Sequence, residues 1–290
     1  MIEIGNISKR FKDHQALTAV NLKIPKGTIY GLIGHNGAGK TTLIRILTQI
    51  IKADSGEILI NSEKLEAKHR LSIGYLPEER GLYKKMQIKD YLIFMSKLRE
   101  IPTKIAEEKI LYWLKKFNLE KDKNKEINTL SKGNQQKVQF IATVFFDPQI
   151  LILDEPFSGF DPANAELLKR EILELNQKGT SIIFSTHQME AVEELCQEVS
   201  MIDQSKIVLS GKLSEIKKSF GKNEYLIKTK NGFTFPKNWK INQTNNGVKL
   251  ELAQNESIES YLREIGIENL LAFEALEPSL KDIFLEKVKK

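Results

Sequence analysis

Gly34, His35, Asn36, Gly37, Ala38, Gly39, Lys40, Thr41 and Thr42 put three glycines, a lysine and two hydroxyls between an apolar run, TIYGLI, and a helical pattern. The backbone N–H groups of such a turn wrap phosphate oxygens, and the start of the helix adds partial positive charge. Gly37 and Gly39 let the main chain approach the anion where a Cβ would intrude. Lys40 is placed to reach the β and γ phosphates of a nucleotide, and Thr41 to offer its hydroxyl to Mg²⁺. The strand before and the helix after are the context that a P-loop needs.

A second run, ILILDEP, ends an apolar strand in two carboxylates. Asp154 is placed to hold Mg²⁺ through water, and Glu155, one residue on, to polarise an attacking water. Taken alone, Asp-Glu at a strand end is a solvated turn more often than a site; the upstream phosphate loop reverses that reading. A third strand, SIIFST, ends at His187. Parallel strands direct their C-terminal ends toward one ligand crevice, which places this imidazole near the γ-phosphate or the attacking water. In TLSKGNQQKV, residues 129–138, a hydroxyl and a glycine open another helix, whose free N–H groups bind an anion whether or not they are also capped.

These residues need a scaffold, and the chain supplies one. Short β-rich runs alternate with helical patterns to about residue 210, and near-continuous apolar strands separated by helices indicate an α/β fold with a parallel sheet covered on both faces. Residues 86–118 read as two helices, with Tyr91, Phe94, Met95 and Leu98, then Ile110, Leu111, Leu114 and Phe117, at helical spacing. They form a helical insertion, within a subdomain of about residues 84–147. EKDKNKE after it reads as a solvated loop. From about residue 215 the pattern changes: EYLIKTK and GVKLELA alternate apolar and polar, Asn246-Gly247 signals a turn, SIESYLREIG is helical, NLLAFEALE strand-like, and Ser279 with Asp282 opens a last helix. The expected division is therefore residues 1–214 and a small α+β domain over 215–290.

The 290 residues suffice for a substantial core, and 41% hydrophobic with 28% charged residues excludes a disordered chain. A formal charge of +6 permits an anionic partner without choosing among nucleotide, nucleic acid and a membrane surface. The single cysteine, Cys196, excludes an internal disulfide and fits a cytosolic setting. No run approaches the ~18 apolar residues of a membrane span, so work at a membrane requires another chain to cross it.

In this order the motifs resemble the ATP-binding cassette family, the motor subunits of ABC transporters, over about residues 3–210. The resemblance implies a P-loop NTPase core that binds ATP and Mg²⁺ and hydrolyses ATP. It assigns Phe11 to adenine stacking, residues 34–41 to the Walker A motif, LILDEP to the Walker B motif with Glu155 catalytic, SGFD to the D-loop ending in Asp161, and His187 to the switch histidine. Asp161 also reads as a helix N-cap, with Pro162 at the first helical position. The signature, usually Leu-Ser-Gly-Gly-Gln, is here Leu130, Ser131, Lys132, Gly133, Asn134; Ser131 and Gly133, which the resemblance places on phosphate, are retained. In GYLPEERGLY the usual glutamine is Glu78, whose carboxylate can ligate Mg²⁺ but lacks the amide's donor. ALEPSLKDIFLEKV, LSKGNQQKV and STHQMEAVEELC look most like the sodium-exporter (NatA-type) branch.

With a complete phosphate site elsewhere in the chain, the anion at Ser131 is expected to be a neighbour's ATP, reached across a dimer. The resemblance further implies a membrane-spanning permease subunit docked near Leu82, Tyr83 and Tyr91, export as the outcome, and a peripheral place on the cytoplasmic face of the cell membrane. No nucleic acid is expected: the competing class, soluble cassette ATPases acting on nucleic acid or ribosomes, usually carries two cassettes or a long coiled-coil insertion, and neither is present. A P-loop GTPase would need an Asn-Lys-x-Asp base reader, also missing.

Overall fold

Strands β3 (Ile29–Ile33), β7 (Ile150–Asp154) and β8 (Ser181–Thr186) are buried at every residue, as near-continuous apolar runs must be when both faces of a sheet are covered. The computed structural model describes residues 1–288 apart from Arg80, Lys222, Asn231, Asn245, Gln254 and Asn255. It divides into two units, Met1–Lys212 and Leu213–Lys290.

In chain order the first unit contains β1 (Ile2–Phe11), β2 (His14–Ile24), β3, α1 (Lys40–Leu47), β4 (Ser55–Ile60), β5 (Glu63–Lys64), β6 (Ile73–Leu76), α2 (Ile88–Lys97), α3 (Thr103–Lys116), α4 (Lys132–Val144), β7, α5 (Pro162–Gln177), β8, α6 (Met189–Leu195), β9 (Glu198–Asp203) and β10 (Lys206–Lys212). Its main sheet has the order β10-β9-β3-β8-β7-β6. All neighbours are parallel except the edge pair β10 and β9, a hairpin that closes one side. Four successive strands of this sheet, β3, β8, β7 and β6, therefore send their C-terminal ends the same way. Those ends carry the glycine loop, His187, Glu155 and Glu78.

A second, antiparallel sheet of order β2-β1-β4-β5, absent from the sequence reading, packs its apolar side into the same core. Ile2, Ile4 and Ile7 of β1 join Leu17, Val20, Leu22 and Ile24 of β2 there. This sheet delivers Phe11 to the site, at the end of β1.

The helical insertion is present as α2 and α3, packed on α4. Trp113, Phe117 and Phe140 meet ring to ring at centroid separations of 5.6–6.1 Å, an arrangement that favours edge-on contacts. Tyr91, Ile110, Leu114 and Phe117 are buried as the spacing predicts, whereas Leu98 and Leu111 are exposed. Lys116 of α3 reaches the buried Glu171 of α5 at 2.6 Å. EKDKNKE is not a free loop throughout: it holds a single turn at Glu120–Asp122, and the carbonyls of Lys123 and Lys125 accept the N–H groups of Lys89 and Ile88.

The second unit contains α7 (Leu213–Phe220), β11 (Glu224–Thr229), β12 (Ile241–Thr244), β13 (Gly247–Glu251), α8 (Ile258–Ile265), β14 (Leu270–Ala275) and α9 (Leu280–Val288). Its antiparallel sheet has the order β12-β13-β11-β14, and Ile265 of α8 joins Ile227, Trp239, Leu250 and Leu252 in a core of its own. The Asn246-Gly247 signal does mark a hairpin, but the strand before it is INQT, too polar to read as one. Ser279 accepts the N–H of Asp282 at 3.1 Å and so caps α9 as its sequence predicts.

Candidate active site

The loop after β3 turns because glycine allows it. Gly39 adopts φ +118°, and a Cβ there would stand 2.6 Å from the carbonyl oxygen of Ala16. Gly37, at φ +83°, faces open space in the pocket. The first N–H groups of α1 have no acceptor within the helix and point into this cradle. Lys40 is 6% exposed, and its Nζ donates to the carbonyls of Gly34 at 2.6 Å and His35 at 3.1 Å. Burial pulls the ammonium below the ordinary lysine range, against the opposing pull of Glu155, Asp154 and Glu78. The ammonium and the free N–H groups beside it suit phosphate oxygens, and the three nearby carboxylates call for a cation between them and a triphosphate.

Thr41 Oγ1 donates to Asp154 Oδ2 at 3.3 Å. Burial, the largest cause, pushes the Asp154 carboxyl up, and the charges of Glu78 and Glu155 add to it. A cation among these oxygens would reverse that. Among the described residues no group of three or more His, Cys, Asp or Glu side chains converges as a metal cage. A hydroxyl and one or two carboxylates are what Mg²⁺ uses when substrate phosphates and water complete its shell, so the donors fit that ion.

Glu155 lies just past β7 at φ +48°, a left-handed backbone that costs a non-glycine residue energy and concentrates at functional sites. Its carboxylate is fixed at both oxygens. Oε2 accepts the Thr186 hydroxyl at 2.9 Å, and Oε1 accepts the main-chain N–H of His187 at 2.9 Å and lies 2.8 Å from its Nδ1. With its ring proton on Nδ1, a neutral His187 keeps Nε2 as an acceptor, suited to a water proton; only the imidazolium would donate to phosphate. Thr186, buried beside the histidine, was legible only as a strand residue.

A pocket of about 290 Å³ gathers Phe11, Asn36, Gly37, Gly39, Lys40, Thr41, Thr42, Glu78, Asp154 and Glu155, together with His14 and Ala16 from β2. Nothing in the sequence marks the last two, which reach the pocket through the antiparallel sheet. Gly34, His35, Ala38 and His187 do not line it. Ala38 is turned inward with its N–H on the His35 carbonyl, and the His35 ring lies 2.5 Å from Asp203 on β9. Ser131, Gly133, Asn134 and Asp161 form a separate cluster. Ser131 caps α4, accepting the Asn134 N–H at 3.3 Å. Asp161 caps α5 and binds the Asn164 amide at 2.6 Å, and a Cβ on Gly133 would stand 3.8 Å from that same amide nitrogen. Two loops far apart in sequence thus share one surface.

The chain matches the family model described as ABC transporter over residues 17–158, and one described as ATP-binding protein DrrA1-3-like, C-terminal domain, over 211–288. It is 42% identical to the ABC transporter ATP-binding protein YhaQ of Bacillus subtilis (strain 168), covering 99% of this chain and 98% of that one. The chain belongs to the family of ABC transporter ATP-binding proteins. Its likeness to the ABC transporter ATP-binding protein NatA of the same organism is more distant, 31% over 76% of this chain and 92% of that one. A solved ATP-binding subunit of an ABC transporter superposes with a TM-score of 0.71 at 27% identity, over 76% of this chain and 93% of that one. The cassette is therefore an ATPase whose hydrolysis is coupled to transport.

Beside the nucleotide pocket this cassette has a wider groove of about 560 Å³ between α1, β6, α2 and α4. Arg45, Tyr75, Glu78, Tyr91 and Arg99 line it, and Glu78 lines both cavities. Burial pushes the Tyr91 hydroxyl up to about 12. Of the three residues expected to mark a docking surface, Tyr83 is exposed, Leu82 half-buried and Tyr91 buried. Among the described residues no helix is long and apolar enough to cross a membrane.

Proposed function

We propose that two copies of this cassette close around two ATP molecules and power export by a separate membrane-spanning permease. The observation that carries the reading is the separation just described. The pocket holding Lys40 and Glu155 has no wall from Ser131 or Asp161, which cap two exposed helix starts outside it. A second copy, related by a two-fold axis, would supply each to the other.

In this reading Phe11 stacks on adenine, residues 34–42 and Lys40 hold the phosphates, and Thr41, Asp154 and Glu78 hold Mg²⁺. That ion would offset the negative charge of the phosphates. Glu155 takes the proton from a water attacking the γ-phosphorus, His187 steadies Glu155 and the water, and ADP and phosphate leave as the copies part. The Ser131, Gly133 and Asn134 surface of the neighbour covers the γ-phosphate from the other side, with Asp161 beside it.

Ser131→Ala tests this arrangement. ATP affinity of the isolated subunit should stay within about twofold, while turnover falls by at least about tenfold, as expected on losing a donor to developing charge. Equal loss of both would place the site within one chain.

The groove beside Glu78 suits a permease segment, and exposed Tyr83, its ring 6.2 Å from that of Tyr91 in the lining, follows half-buried Leu82 in sequence. Leu82→Glu should release the subunit from membranes containing its permease while leaving ATP binding in solution unchanged; undiminished membrane association would refute this docking site. The bound subunit sits peripherally on the cytoplasmic face. The solute is small, with sodium the first to assay on the strength of the resemblance to the exporter branch.

A further inference from the structure

Helix α4 begins beside Ser131 and, eight residues further on, presents Gln139 to the loop that follows β6. At 1.5 Å per residue the two positions are about 12 Å apart along the helix. Gln139 is 5% exposed, and its Nε2 donates to the carbonyls of Pro77 at 3.2 Å and Glu79 at 3.4 Å. Those two carbonyls flank Glu78. Outside the strand and helix ladders, no other hydrogen bond among the described residues reaches the backbone of residues 77–79.

Below this point, strand and helix are locked together. A Cβ on Gly74 would stand 2.5 Å from the Thr143 carbonyl, and Thr143 Oγ1 donates across to the Tyr75 carbonyl at 3.5 Å. From Gln136 to Val144 every residue of α4 is buried, so the helix moves as a piece or not at all. Glu78 itself is exposed and stands where the nucleotide pocket and the groove meet.

We propose that Gln139 is a positioning residue whose amide ties the loop of Glu78 to the helix that starts at Ser131. A partner segment entering the groove and a nucleotide held against Ser131 then act on one rigid element, to which the Gln139 amide ties the loop of Glu78. Occupancy of the groove is felt at the neighbouring copy's ATP, and the reverse follows from linkage. The inference rests on the assignment of Ser131 to a neighbour's ATP and of Glu78 to the metal.

Gln139→Met keeps the length and bulk of the side chain and removes its donor. In the full-length protein, cleavage after Glu78 and Glu79 by a glutamate-specific protease should quicken by about fivefold, the effect of losing the amide's hold on the two carbonyls, with amide exchange in α4 as before. The KM for ATP should hold within about twofold while kcat falls. Unchanged cleavage of the loop would overturn the proposal, as would equal loosening of α4, the mark of a purely structural role. Glu78→Gln keeps the two readings apart. If it leaves the Mg²⁺ requirement unaltered while Gln139→Met still frees the loop, the metal role of Glu78 fails and the tether stands; a loop that stays fixed in Gln139→Met while Glu78→Gln shifts the requirement sinks the tether alone.

Discussion

Glu155→Gln should bind ATP with an affinity within about threefold of the parent and turn it over slower by 10² or more, the usual worth of a positioned general base. The substitution keeps the shape and removes the proton acceptor. The structure says why it should fold: the amide oxygen of glutamine can still accept the His187 N–H, and the amide NH₂ can donate to the Thr186 hydroxyl, which turns its own proton away. Each partner of the carboxylate is an adaptable group, so no buried polar atom is abandoned. With hydrolysis blocked, ATP-bound pairs should accumulate and be visible by size-exclusion chromatography or light scattering on adding MgATP. Hydrolysis at the parental rate would remove Glu155 from the role of base, and blocked hydrolysis with a strictly monomeric ATP complex would count against the closed pair.

What could be read from the sequence depended on how locally each feature is determined. The glycine loop, β7 and β8 were legible because a fully buried parallel strand is one unbroken apolar word, and because each ends in the residue that does chemistry. Their convergence in one pocket followed from the direction of parallel strands, and the pocket does bring together Lys40, Thr41, Asp154 and Glu155. The antiparallel sheet was not legible. The pairing of β1 with β2 shifts register between Ile4 and Ile7 and again near Lys9, with Asn6 and Ala19 at positive φ, so the period-two alternation that identifies a half-buried strand is broken. His14 and Ala16 were lost with it. Side-chain destinations were lost for another reason: whether His35 turns to phosphate or to Asp203, 168 residues away, is settled by packing that no local pattern encodes. The same holds for Tyr91 and Leu98, one helical stripe in the sequence but one buried and one exposed in the fold, since α2 ends at Lys97 and Leu98 is its C-cap.

Lys40→Ala should separate binding from stability. The lysine is buried, and burial already works against its charge, so the folded protein without nucleotide gains little from it. Removing it frees two loop carbonyls, of which His35 still receives the Ala38 N–H and the buried Gly34 is reached by water through the space the side chain leaves. A net change of ~1 kcal/mol would move the melting temperature by about 3 °C in a chain of this size. Nucleotide binding should behave otherwise. Losing charge-assisted hydrogen bonds to phosphate, at ~1.5–3 kcal/mol each, should weaken ATP by about 10- to 100-fold. The consequence appears in a thermal shift assay: at a concentration of 100 times the parental Kd, ATP stabilises the parent by ~2.7 kcal/mol, whereas a variant weakened 100-fold keeps only ~0.4 kcal/mol. The expected record is two melting curves within about 3 °C of each other without nucleotide and much further apart with it. A collapse of the nucleotide-free melting temperature would instead make Lys40 a structural pin of the glycine loop. A full ATP-induced shift in the variant would mean that the loop's backbone N–H groups alone hold the phosphates.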